Sequence, residues 1–493
     1  MKNKPNIVLF VPDSYRGDVL GHQGNAGAVT PNLDALVASD AVSYSNAFAQ
    51  NPVCTPSRCS FMTGWYPHVH GHRSMRNMLK EHEPNLLTVL KQEGYHVWWG
   101  GKNDLVRVQH PEDYLQYCDT KFQPKGKYTE HMPYKQPPPL NADDPRHGAF
   151  YRGVLPRDGE GAPHFDADTA CVLGAVDMIQ NQSSDQPFVC YLPLGKPHPA
   201  YYAEEDFYNA INPDKLPPRI PVPPKEANLP KILDALREGY RSEDITEEMW
   251  HDVKRIYYAM CTKIDDLFGK VVEALIEKGL YDNTWIFFFS DHGDFAGDYA
   301  LPEKTHSTLQ DCLLNVPLVI KPPAGIPTQN GNRQHLTELL DITATLYDLL
   351  DINPGYAHQG ISLRTSLAGD ETPIRNAVFA EVGSRKNEDA FINTDVNKMP
   401  PDSFYARQSQ SAIPAHKDGS HAVMCRTEHY KYVRRHYSGH HELFDLETDP
   451  GETHNLSSYP DYADIERQME TQLLDFFMHT ADILPYQQDS RQV

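Results

Sequence analysis

Apolar residues along the chain gather in short runs separated by longer stretches with helical spacing. Residues 7–11 (IVLFV) and 285–289 (WIFFF) are unbroken apolar runs, and 188–192 and 318–320 are similar. Apolar runs of this length, without alternation, suit strands covered on both faces of a sheet. Helices are predicted at 32–38, 85–93, 166–180 and from about 246 to 278. Strands alternating with helices predict an α/β fold, a large and mainly parallel central sheet flanked by helices. Ligands of such sheets collect beyond the carboxyl ends of the strands. Asp13 and Asp291 each follow a strand-like run and so belong at that edge.

Two stretches break the pattern. Residues 106–165 are rich in Pro, Gly, His and Tyr and read as a long loop insertion, of the kind that often carries function in a compact domain. Residues 212–230 carry Pro217-Pro218 and Pro223-Pro224, which disfavour a helix or central strand there. After about Gly369 the texture changes. Strands are predicted at 377–382, 430–434 and 442–445, then a turn at Asp449-Pro450-Gly451 and a helix at 462–480. The expected organisation is therefore a catalytic α/β domain over 1–370 and a small α+β subdomain over 371–493.

The 493 residues, 40% hydrophobic and 23% charged, suffice for a large core. A formal net charge of −22 argues against a broad nucleic-acid surface, so any anion must be held by a local cationic cluster. No apolar run is long enough to span a membrane. Met1 to Lys4 lead directly into Pro5-Asn6 and a strand-like run rather than a signal peptide, so the chain is read as cytoplasmic. The eight cysteines (54, 59, 118, 171, 190, 261, 312 and 425) include no CxxC pair, which points to reduced thiols and one special cysteine rather than a disulfide framework.

That cysteine opens Cys54-Thr55-Pro56-Ser57-Arg58. Around it, in order, stand Asn6-Ile7-Val8-Leu9 leading to Asp13, Thr30-Pro31-Asn32-Leu33-Asp34, Phe61-Met62-Thr63-Gly64 and His70-Gly71. Gly101-Lys102, Pro197-His198-Pro199, Ser290-Asp291-His292-Gly293-Asp294 and Lys304 follow, and Leu443-Phe444-Asp445 to Asp449-Pro450 closes the series. With these motifs spread over nearly its whole length, the chain resembles the type I, formylglycine-dependent sulfatases of the alkaline phosphatase superfamily.

The resemblance implies that a maturation enzyme oxidises Cys54 to formylglycine, whose aldehyde hydrates to a geminal diol. One hydroxyl attacks sulfur and the other later expels sulfate, a second step that a plain serine lacks. It further implies a divalent metal held by Asp13, Asp291, His292 and converted Cys54, with calcium favoured and manganese or magnesium as alternatives. The resemblance also gives Arg58, Lys102, His198 and Lys304 as the matched cationic positions: Arg58 to stabilise the diol oxygen, Lys102 and Lys304 to hold sulfate oxygens, and His198 to contact the sulfate or protonate the leaving alcohol.

Three departures stand out. Ser14 occupies a place where relatives often carry a second acid, His292 a place where many carry Asn and where the branch with choline sulfatases and phosphonate monoester hydrolases carries His, and Asp104 a place where relatives often carry His. Asp104 can act as a base, bind substrate or cap a turn. His70 and His306 are further candidates for substrate contact. The expected substrate is a small or oligomeric sulfated carbohydrate. A phosphonate monoester or phosphodiester hydrolase with the same nucleophile is the alternative, and a non-catalytic binder of sulfated glycans the second. Oligomeric state stays open.

Overall fold

The computed structural model describes residues 4–129, 137–141, 143–156, 166–183, 186–383, 421–436 and 438–482. Its centre is a mixed, mostly parallel sheet. In spatial order the strands are Gly331–Glu338, Val42–Phe48, Leu318–Lys321, Thr284–Phe289, Asn6–Asp13, Phe188–Pro197, His96–Gly100 and Thr120–Phe122. Leu318–Lys321 runs antiparallel to both of its neighbours, and the short strand Asn315–Val316 pairs antiparallel with Val42–Phe48. Asn6–Asp13 lies in the middle, parallel to Phe188–Pro197 and to Thr284–Phe289.

The unbroken apolar run of the central strand has a direct cause. Val8 and Phe10 pack on one face, with Phe268, Ile264 and other residues of the long helix Glu247–Glu277. Ile7, Leu9 and Val11 pack on the other, with Phe61, Met62 and Leu346 from the helices Cys54–Thr63 and Leu340–Leu349. Alternate side chains of a strand point to opposite faces, so two covered faces leave no polar position. The Thr246 side chain caps the long helix by accepting from the Met249 amide at 3.3 Å.

Residues 106–165 are more structured than a loop insertion. Thr120–Phe122 adds an edge strand beside His96–Gly100, and Tyr151–Leu155 pairs in parallel with Tyr201–Glu204. Composition missed both because backbone pairing, not an apolar run, makes them strands. Within this stretch, 130–136, 142 and 157–165 lie outside the described residues. Residues 212–230 hold only short 3₁₀ turns, in keeping with their prolines.

At the C-terminal end an antiparallel sheet, Val378–Val382, Ala422–Arg426, Tyr430–Arg435 and Glu442–Asp445, carries the helix Ala463–Thr480 on one face. Polar contacts join it to the larger layer: Lys431 Nζ meets Asp311 Oδ1 at 2.8 Å, and the Asp311 amide donates to Glu452 Oε2 at 2.8 Å. Among the described residues no helix is long and apolar enough to cross a membrane.

Candidate active site

Three chain segments bring the site together at the carboxyl edge of the central strands. Asp13 is the last residue of its strand, and Ser14 turns away in a left-handed conformation with φ of 66°. The turn is locked: the Ser14 amide donates to Asp291 Oδ1 at 3.2 Å, the Tyr15 amide to Ser290 Oγ at 2.8 Å, and Tyr257 Oη to the Ser14 carbonyl at 2.7 Å. Ser14 Oγ donates to Asp13 Oδ1 at 3.1 Å, so the residue standing in for a second acid steadies the first.

Cys54 is the first residue of a ten-residue helix, every residue of which is buried, and the extended Val53 precedes it. That placement aims Cys54 Sγ at the strand edge, 3.2 Å from His292 Nε2 and 3.8 Å from Asp13 Oδ1. Sγ here stands where the oxygens of a hydrated aldehyde would sit. Ser57 Oγ donates to the Asp291 carbonyl at 2.5 Å and ties this helix to the third segment. One helical turn after Cys54, Arg58 Nη2 lies 2.9 Å from Asp13 Oδ2 and 2.8 Å from Asp291 Oδ2.

His292 Nδ1 sits 2.8 Å from the Gly293 carbonyl, which can only accept, so Nδ1 carries the proton and the Nε2 lone pair faces the site. Burial holds the His292 pKa down, against the pull of Asp291 and Asp13, and keeps the ring neutral.

Asp13, Cys54, Asp291 and His292 each offer an atom within 4.8 Å of the others, all four buried. Asp291 Oδ2 is fully buried, and its close contact among the described residues is the Arg58 guanidinium at 2.8 Å. Two buried carboxylates that need more positive charge than one shared guanidinium nitrogen, together with an imidazole lone pair, form a donor set that fits a divalent cation.

Cations ring this cluster. Lys102 Nζ lies 2.6 Å from Asp13 Oδ2, 2.7 Å from Asp104 Oδ2 and 3.9 Å from Cys54 Sγ. Burial works against its charge, but Asp13 and its neighbours win and hold the Lys102 pKa above the usual lysine range. Burial also tends to protonate Asp13, and Lys102, His198, Arg58 and His292 together overcome it, so the carboxylate stays ionised. Burial and then Asp13 push the Cys54 thiol well above its ordinary pKa, so the unmodified side chain is a poor thiolate nucleophile.

Lys304 Nζ approaches His198 Nε2 at 2.6 Å and Glu303 Oε1 at 2.8 Å. His198 Nδ1 donates to the Pro199 carbonyl at 2.7 Å, leaving Nε2 as acceptor for Lys304. Burial, then Lys304, press the His198 pKa down to about 4. His306 is half-buried beside this group, and burial followed by Lys304 depresses its pKa to about 4 as well.

His70 is placed differently. Its Nδ1 lies 2.7 Å from Glu83 Oε1, and its ring stacks on Trp65 with centroids 4.4 Å apart. Among the described residues its contacts are Glu83, Trp65 and His72, away from the four-residue cluster. Sequence reasoning missed Glu303, although an acid directly before a cationic site residue was a usable signal.

The family model described as Sulfatase matches residues 5–352. The chain is 27% identical over 487 residues to an ulvan-active sulfatase of Formosa agariphila, covering 95% of this chain and 80% of that one. It is 24% identical over 486 residues to an arylsulfatase of Clostridium perfringens, covering 93% and 91%. In fold it is similar to the phosphonate monoester hydrolase of Agrobacterium radiobacter, with a TM-score of 0.75 at 22% identity over 99% of this chain and 100% of that one. The family model covers well over half of the chain, and the assignment follows: the chain belongs to the sulfatase family, the sulfuric ester hydrolases of the alkaline phosphatase superfamily.

Proposed function

We propose that this sulfatase is metal-dependent, uses a formylglycine made from Cys54, and acts on a small or oligomeric carbohydrate sulfate. The observation that carries the reading is the convergence of Asp13, Cys54, Asp291 and His292 within 4.8 Å, with Arg58 and Lys102 against the same carboxylates. Asp13, Asp291, His292 and the converted residue 54 would hold the ion, with calcium favoured over manganese or magnesium. When bound, it supplies Lewis-acid charge for activation of the nucleophile.

The chain's own groups do the rest. Arg58 and Lys102 stabilise the attacking oxygen and hold ester oxygens, in a site buried enough for their charges to count. Lys304 and His198 share a proton along their 2.6 Å contact, and we assign to this pair its delivery to the departing oxygen. The carbohydrate assignment is supported by the relative active on ulvan.

A second reading, hydrolysis of phosphonate monoesters or phosphodiesters, is favoured by the imidazole of His292 in the site and by the fold similarity to a phosphonate monoester hydrolase. A purely glycan-binding protein would have no use for a buried, metal-fitting cluster around Cys54. Mass spectrometry of the peptide containing Cys54, from the native host, tests the nucleophile. Parallel turnover of sulfated sugars, phosphodiesters and phosphonates by that protein tests the substrate. Unconverted Cys54 in active enzyme, or faster turnover of the phosphorus esters, overturns the first reading.

A further inference from the structure

The two lysines beside the four-residue cluster are not bare cations. Lys102 Nζ is bracketed by Asp13 Oδ2 at 2.6 Å and Asp104 Oδ2 at 2.7 Å. Lys304 Nζ contacts Glu303 Oε1 at 2.8 Å, and that carboxylate also lies 3.5 Å from His198 Nε2. Asp13 belongs to the inner cluster. Asp104 and Glu303 do not. Neither carboxylate is among the four groups that converge on the cation position, and each sits on a lysine suited to anion binding.

Both are costly arrangements. The Asp104 side chain is 15% exposed and Glu303 only 3%. A carboxylate so placed is desolvated and repels an incoming anion. Its effect on binding grows with the charge of that anion. A sulfate ester, a phosphodiester and a phosphonate monoester each carry one negative charge near neutral pH, whereas a phosphate monoester carries nearly two. Two lysines with their own counter-ions therefore favour the first group over the last.

We propose that Asp104 and Glu303 are specificity-determining counter-charges on Lys102 and Lys304, which make the site select singly charged ester groups and reject doubly charged phosphate monoesters. The inference rests on the hydrolase reading above and adds the charge class of the substrate. Asp104 is the cleaner test, since Glu303 also touches the proton-delivering pair. The Asp104 carboxylate repels the second negative charge of a phosphate monoester at close range. Removing it, in a half-screened site, is worth on the order of tenfold in discrimination.

The experiment uses matured, metal-loaded enzyme and its D104N and D104E variants. kcat/KM is measured for one sulfate monoester and one phosphate monoester with the same leaving group. Binding of inorganic phosphate is followed by calorimetry across its second ionisation, with inorganic sulfate, whose charge does not change there, as reference. D104N is expected to shift the ratio of kcat/KM toward the phosphate monoester by on the order of tenfold, with D104E near wild type. Wild type should bind phosphate less well relative to sulfate as phosphate gains its second charge, and D104N should lose much of that trend. An unchanged ratio in D104N overturns the proposal. So does an equal shift in D104E, which would mark a steric role. Should D104N fail to fold, a wild-type phosphate-to-sulfate affinity ratio that is flat or rises with pH overturns it unaided. Wild-type protein without sulfate ester turnover would instead defeat the hydrolase reading.

Discussion

Arg58→Ala is the perturbation with the most to reveal, because one buried guanidinium nitrogen serves two buried carboxylates. Arg58, Asp13 and Asp291 are all fully inaccessible to solvent, with Nη2 contacts of 2.9 and 2.8 Å. At an effective dielectric of about 20, each contact is worth about 6 kcal/mol before desolvation is charged against it. Most of that only offsets the desolvation of the charges. The net loss on removing one partner of such a pair is about 3–5 kcal/mol, since two carboxylates remain buried with less compensation. At about 2–3 °C per kcal/mol for a large domain, the metal-free variant should unfold about 10 °C below wild type. A divalent ion among Asp13, Asp291 and His292 would take over the compensation, so added calcium or manganese should recover much of that deficit. Activity should not recover with it: losing a donor that stabilises the attacking oxygen costs about 10²–10³ in kcat. Thermal unfolding with and without metal, beside steady-state kinetics, reads both effects. A metal-free R58A protein as stable as wild type, or a metal-loaded one with near-normal kcat, would refute the reasoning.

Cys54→Ser offers a single hydroxyl, so the variant should accept one sulfate from substrate and stop, visible as a stable adduct by intact mass. Continued turnover would remove the need for a diol. Chelation should lower the thermal midpoint of wild type but change D13N/D291N little, because that double variant lacks both carboxylate ligands; equal losses in the two proteins would place the ion elsewhere. His198→Gln should slow esters with poor leaving groups by about 10²–10³ and activated aryl esters far less. A uniform loss over both classes would argue against proton delivery. His198 also predicts a pH effect on stability. Burial, then Lys304, lowers its folded pKa to about 4, while the unfolded chain titrates near the ordinary 6.5. Between those values the unfolded state binds a proton that the folded state refuses, so stability falls as pH drops from about 6.5 toward 4, by at most about 3 kcal/mol from this residue. Above pH 6.5 the contribution is constant. Denaturant unfolding of wild type and H198Q over this range should show a shallower slope in the variant.

The sequence by itself determined what local pattern can carry. The unbroken apolar runs at 7–11 and 285–289 could be covered only on both faces, and they form the neighbouring strands Asn6–Asp13 and Thr284–Phe289. Helical spacing likewise located Ala167–Gln180 and Glu247–Glu277 to within a residue or so. Strands with mixed or polar composition carried no such signal. Gly331–Glu338 reads GNRQHLTE and is held by parallel pairing with Val42–Phe48, whose own pattern is mixed. Chain order also says nothing about pairing direction, so the reversed strand Leu318–Lys321 emerged only from the assembled sheet.

The site divides the same way. Residue types and motif order marked Asp13, Cys54, Arg58, Lys102, His198, Asp291, His292 and Lys304 as candidates. Only tertiary structure brought the Ser14 amide onto Asp291, 277 positions away, and Lys304 onto His198, 106 positions away. It also gave Asp104 a partner in Lys102, added Glu303, and turned His70 toward Glu83 and Trp65. The physical reason is range. Propensity and periodicity act over a turn or a strand, whereas an ion pair depends on where separate strand ends and loops meet after the core has closed.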